Sequence, residues 1–304
     1  MIVLLLVTLT ITVASRQNLT YDAPYPDIKA STDSAVIARG KEIVFGPAHC
    51  ADCHARGSNI DSLLALGREV PLIGGYKFEL PLGEIYIPNI TPDSLTGIGR
   101  ITDAEIARLL RYGVFPNGKA AFDFMPFHNM SDEDLAAVIS YLRNQQPVYN
   151  KVPENDLNTL GKVLTAFVVK PVGPDREVPK AVKRDTSAAY GGYLAISVAN
   201  CHGCHTLRDM TGGYIGEPFA GGGPIGEPGF PSYTPPNLTP DSSSRIFGWS
   251  QQNFIDRFRM GRVFQYSHMP WESFGRMSDD DLKAIYNFLQ TVKPQKTGAL
   301  LHDK

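Results

Sequence analysis

The chain has 304 residues, enough for two domains of ordinary size that each bury a core. Its formal net charge is -2 and charged residues make up 20% of it, so it carries no basic field that would hold nucleic acid. Gly 28 and Pro 23 point to long ordered loops between few helices, and Cys 4 falls in two short clusters that leave no cysteine for a structural disulfide.

Residues 1–30 read as a signal or anchor segment followed by a linker. Met1 to Ala14 is apolar but short of the roughly 20 residues that span a bilayer, so it suits export, with the segment either cleaved near Val13-Ala14-Ser15 or retained as a tether. Arg16 to Thr32 is polar and Pro-containing, which predicts a surface linker. Residues 31–144 form the first expected domain. A helix is predicted from Ser34 to Phe45, leading straight into Cys50, and the stretch from Arg56 to Asp93 has no sustained helical period and reads as ordered loop. Thr102 with Glu105 three residues on is a capping box, followed by Ile106, Leu109 and Leu110 at helical spacing. A further helix starts at Ser131 and carries Leu135, Val138, Ile139 and Leu142 on one face. Residues 145–184 read as an interdomain connector with one short helix in its apolar stretch LGKVLTAFVV, and residues 185–304 as the second domain.

The second half repeats the first. Gly40 before Cys50 recurs as Gly191 before Cys201, an offset of 151, and Asn89-Ile-Thr-Pro-Asp93 recurs as Asn237-Leu-Thr-Pro-Asp241, an offset of 148. Met125-Pro126 recurs as Met269-Pro270, offset 144, and the segment from Met130 to Leu135 recurs from Met277 to Leu282, offset 147. Offsets that drift by a few residues are loop-length changes between equivalent elements. The chain reads as a duplicated domain.

Cys50-Ala-Asp-Cys53-His54 and Cys201-His-Gly-Cys204-His205 are both C-x-x-C-H, the attachment signature of c-type haem. Two thiols at this spacing add across the two vinyl groups of one porphyrin, and the next residue places an imidazole beneath the iron. A zinc knuckle would want a second cysteine pair nearby, and a redox disulfide would want a βαβ setting. Two covalently attached haems c are therefore expected, with His54 and His205 as axial ligands.

Each iron also needs a sixth ligand. The candidates are Met125, Met130 and His128 in the first half, and Met210, Met260, His268, Met269 and Met277 in the second. Met130 and Met277 precede the helix starts at Ser131 and Ser278 and read as hydrophobic staples. His128 maps onto Glu272, and His268 has no partner in the first half. Met125 and Met269 remain, each followed by Pro between two helices. A thioether opposite an imidazole favours ferrous iron, raises the potential and closes the iron to substrates.

The layout of helix, C-x-x-C-H, N-[IL]-T-P-D, capped helix, M-P and final helix resembles the class I cytochrome c fold in tandem. It is similar to the exported dihaem cytochromes c of bacteria, relatives of the cytochrome subunits of membrane alcohol and gluconate dehydrogenases. That resemblance implies a mainly α protein made of two class I cytochrome c-like domains with long ordered loops. The implied role is transfer of single electrons in the periplasm rather than catalysis, between a dehydrogenase or quinol-oxidising complex and another cytochrome or terminal oxidase of a respiratory chain, with membrane association through the N-terminal segment. The alternatives are a fixed subunit of a larger complex and a haem enzyme of dihaem peroxidase or thiosulfate-oxidising type. It also implies that the first and last helices of each domain cross at a glycine, Gly40 against Tyr141 and Gly191 against Phe288. Trp249, at the position of Ile101, is either a haem contact or core. The Asn-x-Thr triplets at Asn18, Asn89 and Asn237 read as turn chemistry rather than glycosylation sites.

Overall fold

The computed structural model describes residue 8 and residues 11–209, 212–226 and 229–301. Most of the apolar run at the N-terminus and the candidate Met210 lie outside the described residues. Among the described residues no helix is long and apolar enough to cross a membrane.

The fold is mainly helical, and its chain divides into two compact units. One takes in the chain up to Lys41, Cys50–Ile60 and Glu69–Ala181; the other takes in Glu42–His49, Asp61–Arg68 and the chain from Val182 onward.

In the first repeat, α1 runs over Ser34–Phe45, α2 over Cys50–His54 and α3 over Ile60–Ala65. Helix α4 spans Asp103–Tyr112 and α5 spans Asp132–Asn144. The expected capping box is present, because the Thr102 side chain accepts from the Glu105 N–H while Glu105 reaches back to the Thr102 N–H, and Gly113 ends the helix in the left-handed region at φ 63. Ser131 caps α5 by accepting from the Asp134 N–H.

The region from Arg56 to Asp93 holds more regular structure than its sequence suggests. β1 (Lys77–Leu80) and β2 (Gly83–Tyr86) pair antiparallel, Phe78 opposite Ile85, and β3 (Asp156–Leu157) extends the sheet from the connector. Its two-residue loop is Pro81-Leu82 in place of the Asn-Gly or Asp-Gly that announces a hairpin, and four-residue strands are too short for alternation to stand out. The Arg16–Thr32 linker is tied down by the buried Arg108, whose guanidinium donates to the carbonyls of Ala23 (3.1 Å) and Tyr21 (2.9 Å) and lies over the Tyr25 ring. In the connector, α6 (Thr159–Phe167) is the anticipated short helix.

The second repeat starts with α7 (Ala188–Tyr193), which passes into a π-helical turn over Leu194–Val198. Helices α8 (Cys201–Cys204), α9 (Gln251–Arg259), α10 (Trp271–Phe274) and α11 (Asp279–Leu289) follow. Leu194, Leu282, Ile285 and Leu289 are fully buried there, as Leu72, Met130, Leu135 and Ile139 are in the first repeat.

Both helix crossings rest on a glycine. A Cβ on Gly40 would sit 1.9 Å from the Ala137 carbonyl oxygen and 2.8 Å from Tyr141 Cβ, and one on Gly191 would sit 1.8 Å from the Ala284 oxygen. The second crossing differs from expectation in one detail: Phe288 packs against Gly192 rather than Gly191, its ring 3.0 Å from where a Cβ would stand.

Candidate haem-attachment sites

The approach to each cysteine motif is built the same way twice. Helix α1 overruns into a widened turn in which the Ala48 N–H donates to the Ile43 carbonyl (2.9 Å), and the π-helical turn of the second repeat makes the equivalent bond from Ala199 to Leu194 (2.7 Å). These are i→i−5 bonds, one residue wider than a regular helix. The next residue swings into the left-handed region, His49 at φ 39 and Asn200 at φ 50. For a residue with a side chain that costs about 1 kcal/mol, least for asparagine. A new short helical turn then begins at the first cysteine, and the i, i+3 spacing brings both thiols to one side of it.

Each histidine is held by one ring nitrogen. His54 Nδ1 lies 2.8 Å from the Pro88 carbonyl oxygen and His205 Nδ1 lies 2.7 Å from that of Pro236. A carbonyl can only accept, so Nδ1 carries the hydrogen and Nε2 keeps its lone pair, with no hydrogen-bond partner among the described residues. Both rings are buried at 7% exposure, which pushes the His54 pKa down to about 4 and that of His205 in the same direction. The Pro88 carbonyl is in turn fixed by Gly74, which donates its N–H to the His54 carbonyl (2.7 Å) and leaves no room for a Cβ beside Pro88.

The thiols fit thioether formation better than thiolate chemistry. Burial pushes the pKa of Cys50 and Cys201 up to about 12 and that of Cys53 up to about 11, while Cys204 is exposed. A redox-active pair needs a stabilised thiolate, which this setting opposes. Among the described residues no three His, Cys, Asp or Glu side chains converge as a zinc site would require. Neutral thiols in pairs, each beside a neutral imidazole with a bare nitrogen, suit a porphyrin iron.

The N-[IL]-T-P-D segments hold the Pro88 and Pro236 carbonyls in place. Asn89 donates to the Val148 carbonyl (2.9 Å) and accepts from the Thr91 N–H (2.9 Å); Asn237 does the same with Gln295 (2.7 Å) and Thr239 (2.8 Å). Asn89 and Asn237 are buried and committed to these bonds, as turn chemistry requires. Proline precedes the asparagine in both repeats, a signal that was present in the sequence, but nothing in the sequence said that its carbonyl would orient a histidine.

Among the sixth-ligand candidates, Met130 and Met277 are buried at 1% and 4% exposure, in keeping with core side chains. Met260 is 68% exposed, and His268 is exposed. His128 has both ring nitrogens engaged, Nε2 with Asp123 Oδ1 (2.9 Å) and Nδ1 with the Arg111 carbonyl (3.3 Å), which leaves neither for iron. Met125 and Met269 are half-buried, and each opens a tight turn across its proline, from the Phe127 N–H to the Met125 carbonyl and from the Trp271 N–H to the Met269 carbonyl, 2.8 Å in both. Pro270, at φ -72 and ψ 65, is the centre of an inverse γ-turn. Met125 lines a cavity with Leu109, Ala121, Phe122 and His128. Trp249 is half-buried, and its carbonyl accepts the Tyr286 hydroxyl at 2.7 Å.

The cytochrome c family model matches residues 37–146 and again 192–293, one match over each motif and its methionine turn. The chain belongs to the cytochrome c family. A cytochrome c domain implies covalently bound haem c, which the cysteine and histidine geometry fits. The chain is similar to the fructose dehydrogenase cytochrome subunit of Gluconobacter japonicus, at 27% identity over 88% of this chain and 55% of that protein. It is also similar to the alcohol dehydrogenase (quinone) cytochrome c subunit of Gluconobacter oxydans, at 29% identity over 88% of this chain and 56% of that one. The chain thus spans about half the length of these relatives. A diheme cytochrome c-type protein of Cereibacter sphaeroides is 25% identical over 84% of this chain and 85% of its own length.

Proposed function

We propose that this cytochrome c carries two haems, on Cys50, Cys53 and His54 and on Cys201, Cys204 and His205, with Met125 and Met269 as the opposite axial ligands. It passes single electrons between a membrane or periplasmic donor and an acceptor of a respiratory chain. The observation that carries this reading is the duplicated histidine, tied through Nδ1 with Nε2 bare, together with a methionine at the head of the same proline turn in each repeat. Filling both axial positions with His and Met closes the iron to substrate and suits one-electron exchange over catalysis. A place in the periplasm follows from this reading, since the apolar N-terminal run suits export.

A narrower form of the same reading is favoured by relatives that are cytochrome subunits of fructose and alcohol dehydrogenases. In that form the chain is a fixed relay of a membrane dehydrogenase, fed by a partner subunit. Purification of the native protein under mild detergent, with identification of co-purifying chains, is expected to yield a dehydrogenase subunit in constant ratio; recovery of the chain alone would leave the free carrier.

The cofactor count is tested directly. Cys50→Ala and Cys204→Ala should each cut covalently bound haem per chain by about half, as one of two attachment sites is lost. Haem remaining at the parent ratio on a denaturing gel would overturn the assignment.

A further inference from the structure

The two methionine turns are closed by side chains from both flanks, and the two repeats do it with different chemistry. In the first, Asp123 stands two residues before Met125 and His128 three residues after it. His128 Nε2 bonds Asp123 across the methionine (2.9 Å), while Nδ1 bonds the Arg111 carbonyl in the last turn of α4 (3.3 Å). One buried ring therefore joins both flanks of Met125 to a rigid helix. The same positions of the second repeat are Ser267 and Glu272, at the offset of 144 that relates Met125 to Met269. They are bridged by Arg262, which donates to the Ser267 carbonyl and to Glu272 Oε2 (2.7 Å). Trp271 Nε1 adds a bond to Ser267 Oγ at 3.0 Å, and Arg257 stacks on the Trp271 ring.

Proline turns need such support. Pro126 and Pro270 offer no N–H, so only one backbone bond spans each turn. A thioether is a weak, neutral ligand on a long flexible side chain, and it stays on a metal only if its backbone is held where the sulfur must be. The sequence hid this pairing because His and Glu, or Asp and Ser, share no chemistry that an alignment of the repeats would match.

We infer that Asp123–His128 and Ser267–Arg262–Glu272 are clamps that hold Met125 and Met269 in ligating position. His128 and Arg262 are thus positioning residues for the sixth ligand. The inference rests on the axial reading proposed above. Because the clamps share no residue, each can be released without touching the other.

The test uses the full haem-loaded chain. Ferric protein is measured for the near-infrared charge-transfer band of sulfur-ligated haem, and ferrous protein for carbon monoxide binding. His128→Leu removes both bonds; Asp123→Ala, at a side chain 41% exposed, releases the clamp with little risk to folding. Both variants should keep the parent haem content, lose about half of the band, and bind carbon monoxide at one haem roughly tenfold more tightly, the scale of losing a group that supports a metal ligand. Arg262→Met should do the same at the other haem. Should His128→Leu fail to fold, Asp123→Ala decides alone. Variants that keep the full band and the parent's resistance to carbon monoxide would overturn the clamp while leaving the axial reading intact. A parent without the band at two-haem intensity would overturn the axial reading, and the clamp with it.

Discussion

Gly74 shows how much of the proposed haem site can depend on a residue with no side chain. Its φ of 66 already favours glycine, and a Cβ there would stand 2.3 Å from the Pro88 carbonyl carbon, the group that orients His54. Gly221, which makes the matching bond to the His205 carbonyl, has its nearest neighbours 3.4 Å from the Cβ position, so an alanine there would meet only backbone strain at φ 104. Gly74→Ala should therefore destabilise the protein by more than about 1 kcal/mol in urea unfolding and weaken ligation at the first haem, while Gly221→Ala leaves the second haem's spectrum unchanged. Equal spectral damage from both would mean that Pro88 does not position His54. At this scale the cysteines and histidines were legible because their spacing is chemically obligatory. The carbonyls, glycines and flanking clamps were not, because the carbonyls reach their histidines across 34 and 31 residues, and the clamps, though only 5 to 17 residues apart, pair side chains whose meeting depends on a loop path that no periodic pattern records.

The helices were read well for the same reason that they form. Capping residues and apolar spacing are local, so α1 spans the expected residues and α4 and α5 start at the expected caps, and the hairpin escaped because its turn lacks the usual residues. What ties helix to helix was less readable. In the first repeat the buried Arg39 of α1 forms a two-pronged ion pair with Asp134 of α5, at 2.9 and 3.1 Å. In the second, the matching positions are Tyr190 and Asp281, joined by a neutral hydroxyl bond of 3.0 Å. Removing one partner of a buried ion pair costs far more than removing a hydroxyl, because a charge loses its counterion inside the protein. Arg39→Met should cost about 3–5 kcal/mol and Tyr190→Phe about 1 kcal/mol. Denaturant titration of the two variants checks the order, and a larger loss from Tyr190→Phe would show that the ion pair contributes little.

On the scale of the whole chain, two sites built from separate residues should titrate as two one-electron steps. Met125→His should keep its haem low-spin and lower only one of those two potentials, since imidazole favours ferric iron more than thioether does. Potentiometry that moves both midpoints equally would mean that the haems do not act as separate centres. The tandem architecture was the most legible feature of all, carried by four repeated segments, whereas the partner that supplies electrons leaves no comparable mark on the sequence. The widened turn before each cysteine motif also separates what the two halves share from where they differ. Both keep the i→i−5 bond, Ala48 to Ile43 and Ala199 to Leu194, and the left-handed residue that follows it, His49 and Asn200. Around that common presentation of the first cysteine the halves are fastened by unlike chemistry, an ion pair in one and a hydroxyl bond in the other between helices, and an imidazole in one and a guanidinium in the other beside the methionine turn.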